Sequence, residues 1–153
     1  MQDDELYLSV GEPVGIRTHT LKMLFRNDLM PKTKGAFTED DVRKAKKVLD
    51  LGMEAGAVGG VIKDMNPNCH LIGNDAVEQQ GATLYPLYDN IFTGDFTHSE
   101  VWRKIAELRD VDLIIGIGLP MGAVDYLIAQ AQTLKQIMSN DGKCVLAQEI
   151  EYR

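Results

Sequence analysis

Asp112-Leu-Ile-Ile-Gly-Ile-Gly118-Leu-Pro-Met-Gly122 is a short apolar run ending in glycines, followed by an amphipathic stretch to about Ser139 and a second apolar run, Lys143-Cys-Val-Leu-Ala147. Strand, helix, strand in that order is the pattern of a βαβ unit, because two parallel neighbours need a crossover that returns the chain to the starting edge. Ligands of such sheets lie beyond the carboxyl ends of the strands. The fold expected is α/β: a single three-layer domain over residues 1–153, with a mainly parallel sheet of about five strands flanked by helices.

Working outward, Leu6 to Val10 reads as a first strand closed by Gly11-Glu-Pro13, and Thr18 to Met30 as a helix with Leu21, Leu24, Phe25 and Leu29 on one face, stopped by Pro31. Thr38-Glu-Asp-Asp41 resembles a capping box with Asp in the place of Glu, and it opens a helix predicted to run through Leu51 on the apolar face Val42, Ala45, Val48 and Leu49. Gly52, Gly56 and Gly60 then recur every four residues. Either they form a smooth strip on a helix, or Gly52 ends one helix and a second runs to Met65. Cys69 to Ile72 is the second strand, Asn74-Asp75 caps a short helix through Gln80, and Ala82 to Tyr85 is the third strand. Pro86 to Thr97 has no periodicity. Thr97-His-Ser-Glu100 caps a helix that buries Val101, Trp102, Ile105 and Leu108, Leu113 to Ile117 is the fourth strand, and Val124, Leu127, Ile128, Ala131, Leu134 and Met138 face the core from one last long helix. Asn140-Asp-Gly142 turns into the fifth strand.

Composition bounds the rest. At 153 residues with 44% hydrophobic and 25% charged residues, the chain has material for one core. No apolar run approaches the roughly 20 residues of a membrane helix. The acidic start, Met1-Gln-Asp-Asp-Glu5, lacks the basic and apolar segments of a secretory signal, so the expected location is cytoplasmic. Cys69 and Cys144 have no C-x-x-C spacing and read as buried, reduced thiols. A net charge of -7 argues against nucleic acid as a partner. The charge is uneven, however: Arg17 to Lys47 holds nine Lys or Arg against four acids, and the remainder seven against nineteen. That segment can attract an anion.

With parallel strands, the segments after their carboxyl ends converge: Gly11-Glu12, Gly73-Asn74-Asp75, Tyr85 to His98 and Gly118 to Gly122. The expected ligand-binding set is Gly118, Met121 and Gly122, whose amides open the last helix, together with Glu12, Asn74, Asp75 and a basic clamp at Arg17. Asp89 and Asp95 are oxygen ligands at loop spacing that suit Mg²⁺. His98 is with Asp95 the expected catalytic pair for proton transfer, histidine being the side-chain type best suited to exchange protons near neutral pH. This assembles into a small-molecule enzyme acting on a phosphorylated or nucleotide-like substrate with divalent-metal assistance. The alternative is a non-catalytic subunit or ligand-binding module of an oligomeric complex, a homo-oligomer in the first instance, with the seven methionines and the Gly52 to Gly60 strip at its interface. A serine hydrolase and a P-loop NTPase are disfavoured because no G-x-S-x-G stretch and no lysine-bearing glycine loop occurs. A dinucleotide-binding domain lacks its second half.

Overall fold

Val48, Leu49 and Leu51 stand almost without polar alternation, as a strand buried on both faces requires, and Lys47–Leu51 is indeed a strand near the middle of the sheet. The computed structural model describes residues 6–10, 38–53, 56–76 and 85–148. Over these the chain forms β1 (Leu6–Val10), α1 (Glu39–Lys44), β2 (Lys47–Leu51), α2 (Ala57–Met65), β3 (His70–Asp75), a 3₁₀ turn (Tyr85–Leu87), β4 (Asn90–Thr93), α3 (Ser99–Ala106), β5 (Val111–Leu119), α4 (Met121–Ala129), α5 (Ala131–Ile137) and β6 (Met138–Gln148). Among the described residues the sheet has six strands in the order β1-β6-β5-β2-β3-β4, and every pairing is parallel. From β2 the chain moves outward through β3 and β4, then crosses to β5 and β6 on the other side. The order reverses between β2 and β5, which is where an open parallel sheet leaves a crevice at its carboxyl edge.

Side chains of period two divide the core into two layers. Val48, Leu113, Ile115 and Val145 pack with Val42 of α1, with Ala45 at its end and with Val58, Val61 and Ile62 of α2. Their neighbours Leu49, Leu51, Ile114, Cys144 and Leu146 point the other way, against Trp102 and Ile105 of α3, Val124 and Leu127 of α4, and Leu134 and Ile137 of α5. Helices on both faces of a parallel sheet give the three-layer α/β arrangement. No described helix is long and apolar enough to cross a membrane.

Several boundaries differ from expectation. The helix predicted through Leu51 ends at Lys44, and Ala45 is extended with φ -61° and ψ 131°. The capping box forms, with Thr38 Oγ1 accepting from Asp41 N and Asp41 Oδ2 accepting from Thr38 N. What stops the helix is a distant residue: Asp112 Oδ2 accepts from the amides of Lys46 (2.7 Å) and Lys47 (3.4 Å), a tertiary contact invisible to local periodicity. Asn74 and Asp75 are the last residues of β3, and the short helix expected through Gln80 lies outside the described residues. Residues 82–84 of the expected third strand lie outside the described residues, and β4 forms within the stretch read as irregular. The single long helix is two, meeting at Gln130, whose amide donates to both Tyr126 O and Leu127 O. β6 begins earlier than Lys143, with Val111 opposite Met138 but Leu113 opposite Lys143, so the intervening polar residues form an irregularity. The predicted helix from Thr18 to Met30 lies outside the described residues, as do Glu12 and Arg17.

Candidate functional site

A cleft of about 500 Å³ opens at the carboxyl edge beside the reversal of strand order. Its lining comes from the ends of four strands: Gly52 after β2, Asn74, Asp75 and Ala76 at β3, Asp95, Phe96 and Thr97 after β4, Leu119 and Pro120 at β5, and then Gly122, Ala123 and Tyr126 of α4. Sheet hydrogen bonding extends past the strands and fixes these loops. Met53 N donates to Asn74 O and Gly94 N to Asp75 O, both at 2.8 Å. The Asn74 side chain donates from Nδ2 to Phe92 O (2.7 Å) and Gly94 O (3.0 Å), tying the end of β4 to β3.

Gly52 shows why the crevice is there. Its φ of +68° turns the chain sharply off β2, and a Cβ at this position would lie 2.5 Å from Leu119 Cδ2. Only a residue with no side chain lets the ends of β2 and β5 approach so closely in that conformation. Gly52→Val is therefore expected to lower stability by about 2–5 kcal/mol, from the forced positive φ and the overpacking together. Urea denaturation would read the loss, and a variant within 0.5 kcal/mol of wild type, order of magnitude for a neutral surface change, would refute the argument.

Asp95 is positioned by its own turn: Oδ1 accepts from Thr97 Oγ1 at 2.7 Å and from Thr97 N at 2.9 Å. The hydroxyl, then the amide, hold its carboxyl below the usual range for a carboxylic acid. A folded pKa below the unfolded value near 3.9 gives a contribution that is complete above that value and lost as the pH falls through the folded pKa. In Thr97→Val the Asp95 titration is expected to move upward toward the ordinary value and this acid-side window to narrow, as followed by NMR of the carboxyl carbon. An unmoved titration would show that the hydroxyl does not act on it.

The opposite wall is aromatic. Phe96 lies 6.5 Å from Trp102 and 6.3 Å from Tyr126, ring centre to ring centre, and Trp102 meets Tyr126 edge to face at 5.3 Å. Burial pushes the Tyr126 hydroxyl pKa up. Among the described residues of the lining there are two carboxylates, Asp75 and Asp95, and no lysine or arginine. The cleft therefore favours cations and groups that donate hydrogen bonds.

Of the residues singled out in the sequence, Asn74, Asp75, Asp95 and Gly122 come together in this lining. Gly118 lies within β5 and Met121 is the first residue of α4. His98 is the exposed N-cap of α3 and is not in the lining. Asp89 is at the other edge of the sheet: its Oδ2 accepts from Leu71 N (2.7 Å), near the start of β3, and from Lys63 Nζ (3.1 Å). The Leu71 amide, then Lys63, hold its carboxyl below the usual range. With β4 between them, Asp89 and Asp95 do not face a common cation, and among the described residues no group of three or more His, Cys, Asp or Glu is placed to hold a metal ion. The expected Mg²⁺ is thus not matched by a donor set. Gly52, Phe96, Leu119 and Tyr126 were not anticipated. The signal for Gly52 was present, since Val48-Leu-Asp-Leu-Gly52 repeats the strand-then-glycine pattern of residues 112–122.

No protein-family model matches the chain, and no curated protein matches it by sequence. Solved structures do match. A chain of the fibrillarin/Nop5p complex aligns with a TM-score of 0.51 and 18% identity over 72% of this chain and 51% of its own. Mitomycin 7-O-methyltransferase aligns with a TM-score of 0.50 and 16% identity over 78% and 38%. A Nostoc punctiforme protein provisionally assigned as an O-methyltransferase gives 0.48 and 18% over 66% and 32%. This chain spans about half or less of the length of each. The likeness is one of fold.

These observations correct the functional expectation. The fold is shared with a methyltransferase, and the described residues lining the edge expected to bind phosphate include two acids and no lysine or arginine. Gly116, two residues before Gly118, is a buried strand residue paired with Leu51 and Leu146. An enzyme for a phosphorylated or nucleotide-like substrate does not fit this cleft. Of the glycine strip, Gly52 closes on Leu119, and Gly56 and Gly60 are buried within the chain.

Proposed function

We propose that the chain binds a sulfonium methyl donor of the S-adenosylmethionine type in this cleft and passes its methyl group to an acceptor nucleophile. The observation that carries the reading is the pairing of Asp75 and Asp95, at adjacent strand ends beside the reversal of strand order, with an apolar and aromatic wall and no lysine or arginine among the described lining residues. Carboxylates accept strongly from sugar hydroxyls and amines, and their charge favours a cation over a phosphate. When bound, such a donor supplies a methyl group on a positively charged sulfur. Asp75 and Asp95 would hold its polar parts, and Phe96, Leu119, Pro120 and Ala123 would exclude water, with Phe96 and Tyr126 offering ring faces to a cation. The fold shared with mitomycin 7-O-methyltransferase supports methyl transfer as the reaction class by analogy.

The test is a thermal-shift titration with S-adenosylmethionine and S-adenosylhomocysteine, set against ATP, inorganic phosphate and Mg²⁺. A ligand at 100 times its dissociation constant adds about 2.7 kcal/mol, or several degrees at roughly 2–4 °C per kcal/mol for this size. Shifts with both adenosyl ligands and none with phosphate are expected. Flat responses to the adenosyl ligands, or a larger shift with phosphate, would overturn the reading.

A further inference from the structure

The floor of the cleft contains a hydrogen-bond acceptor that the described fold does not use. Asn74 is 1% exposed and belongs to the lining. Its Nδ2 donates to Phe92 O and Gly94 O. Both partners are carbonyls, which accept only, so the end of the amide facing them must be the nitrogen. That leaves Oδ1, with two lone pairs, and no described residue donates to it. A buried acceptor left without a donor costs on the order of 1–3 kcal/mol, and buried polar atoms in folded proteins nearly always have a partner.

We infer that Asn74 Oδ1 is a ligand contact, accepting a hydrogen bond from an N–H or O–H group of the nucleoside part of the bound donor, and that Asn74 thereby determines specificity. The inference rests on the reading of the cleft given above. It is carried by three acceptors in one lining, Asn74 Oδ1 and the carboxylates of Asp75 and Asp95, each of which can take a hydrogen bond from a ligand. An aspartate at position 74 would not serve, because it cannot donate to two carbonyls and would add a third negative charge. The same amide holds the Phe92 to Gly94 end of β4, which leads directly into Asp95. A ligand bonded to Oδ1 is thus linked through one rigid group to the turn that presents Asp95.

The experiment is a cycle of two proteins and four ligands, measured by calorimetry: wild type and Asn74→Ala against S-adenosylhomocysteine, its 2′-deoxy and 3′-deoxy analogues, and S-inosylhomocysteine, in which a carbonyl replaces the base amine. One analogue is expected to bind wild type about 10-fold or more weakly than the parent, an effect of the size of one hydrogen bond to a buried acceptor. In Asn74→Ala that ratio is expected to fall below about threefold. The analogue that shows it tells whether the base amine or a sugar hydroxyl supplies the hydrogen. A merely structural asparagine would weaken all four ligands alike and keep the ratio, and this result overturns the inference, as does a wild type indifferent to every analogue. If Asn74→Ala does not fold, a crystal structure of wild type with S-adenosylhomocysteine decides. Oδ1 within about 3.2 Å of a ligand donor supports the assignment, and Oδ1 bonded to water alone overturns it. Failure of S-adenosylhomocysteine to bind wild type removes the proposed function and the inference together, whereas binding with unchanged ratios removes the inference only.

Discussion

In Asp75→Ala, affinity for S-adenosylhomocysteine is expected to fall by about 100-fold, the equivalent of roughly 2.7 kcal/mol, while the protein stays folded. The backbone at this point is held on both sides of β3, with Leu51 opposite Asn74 and Thr93 opposite Asp75, and Gly94 N closes on Asp75 O. The carboxylate is therefore presented from a fixed platform, and little freedom remains to be lost when a ligand engages it. Hydrogen bonds to a charged acceptor contribute about 1.5–3 kcal/mol each, so loss of the pair that two carboxylate oxygens can make reaches the stated figure. Within the chain, Asp75 Oδ1 accepts from Ala76 N at 2.9 Å, a local bond at the cleft rim whose loss costs on the order of 1 kcal/mol. Calorimetric affinity and melting temperature separate the two effects. Asp75→Asn, which keeps the shape without the charge, is expected to fall between. An Asp75→Ala protein that binds within about threefold of wild type would remove Asp75 from the site, since one charged hydrogen bond alone exceeds that.

Why half of this site could be read from the sequence and half could not is a matter of which strands announce themselves. β5 and the second half of β6, from Lys143, are apolar runs marked off by glycines, and they stand where expected apart from their ends. β2 sits in the same sheet yet reads as helix, because Val42, Ala45, Val48 and Leu49 satisfy helical spacing and the contact that ends α1 comes from Asp112. With β2 unseen, Gly52 had no strand to follow and the reversal of strand order could not be placed. β4 has two apolar residues, Ile91 and Phe92, one for each face of the sheet, and so carries no alternation long enough to detect. Its position decides the fate of two aspartates. A strand at residues 82–85 would put both Asp89 and Asp95 on the loop after it, whereas a strand at Asn90–Thr93 puts Asp89 before it and Asp95 beyond it, at opposite edges of the sheet. Asn74 and Asp75 were legible because a second strand ending near them required no knowledge of the strand order. Phe96 and Tyr126 were not, since aromatic residues that both pack and line a cleft look like core.

Tyr88→Ala is expected to be among the most destabilising single changes in this chain, at about 3–5 kcal/mol for removal of a buried aromatic ring, before the fate of its hydrogen bond is counted. The ring is 7% exposed and lies between α2 and the sheet, where it fills the space that side chains at Gly59 and Gly73 would occupy. Its hydroxyl donates to Asp50 Oδ2 at 2.6 Å, and Asp50, in the middle of β2, is 1% exposed. Removing one member of such a pair leaves a buried carboxylate short of a donor, so Tyr88→Phe alone is expected to cost on the order of 1–3 kcal/mol. Because the ring and the glycines occupy complementary volumes, their substitutions should not add. Gly73→Ala in wild type drives a methyl group against the Tyr88 ring and Met53 Sδ, but with the ring removed the same methyl group partly refills the cavity. Urea denaturation of the two single variants and the double variant is expected to give an interaction of about 1 kcal/mol or more in favour of the double. Strict additivity would mean that the ring does not fill that space. The same experiment bears on the cleft, since Tyr88 braces Asp50, two residues before the Gly52 bend, and a Tyr88→Phe protein that remains folded is expected to bind S-adenosylhomocysteine more weakly through a loosened bend rather than through any lost contact to the ligand.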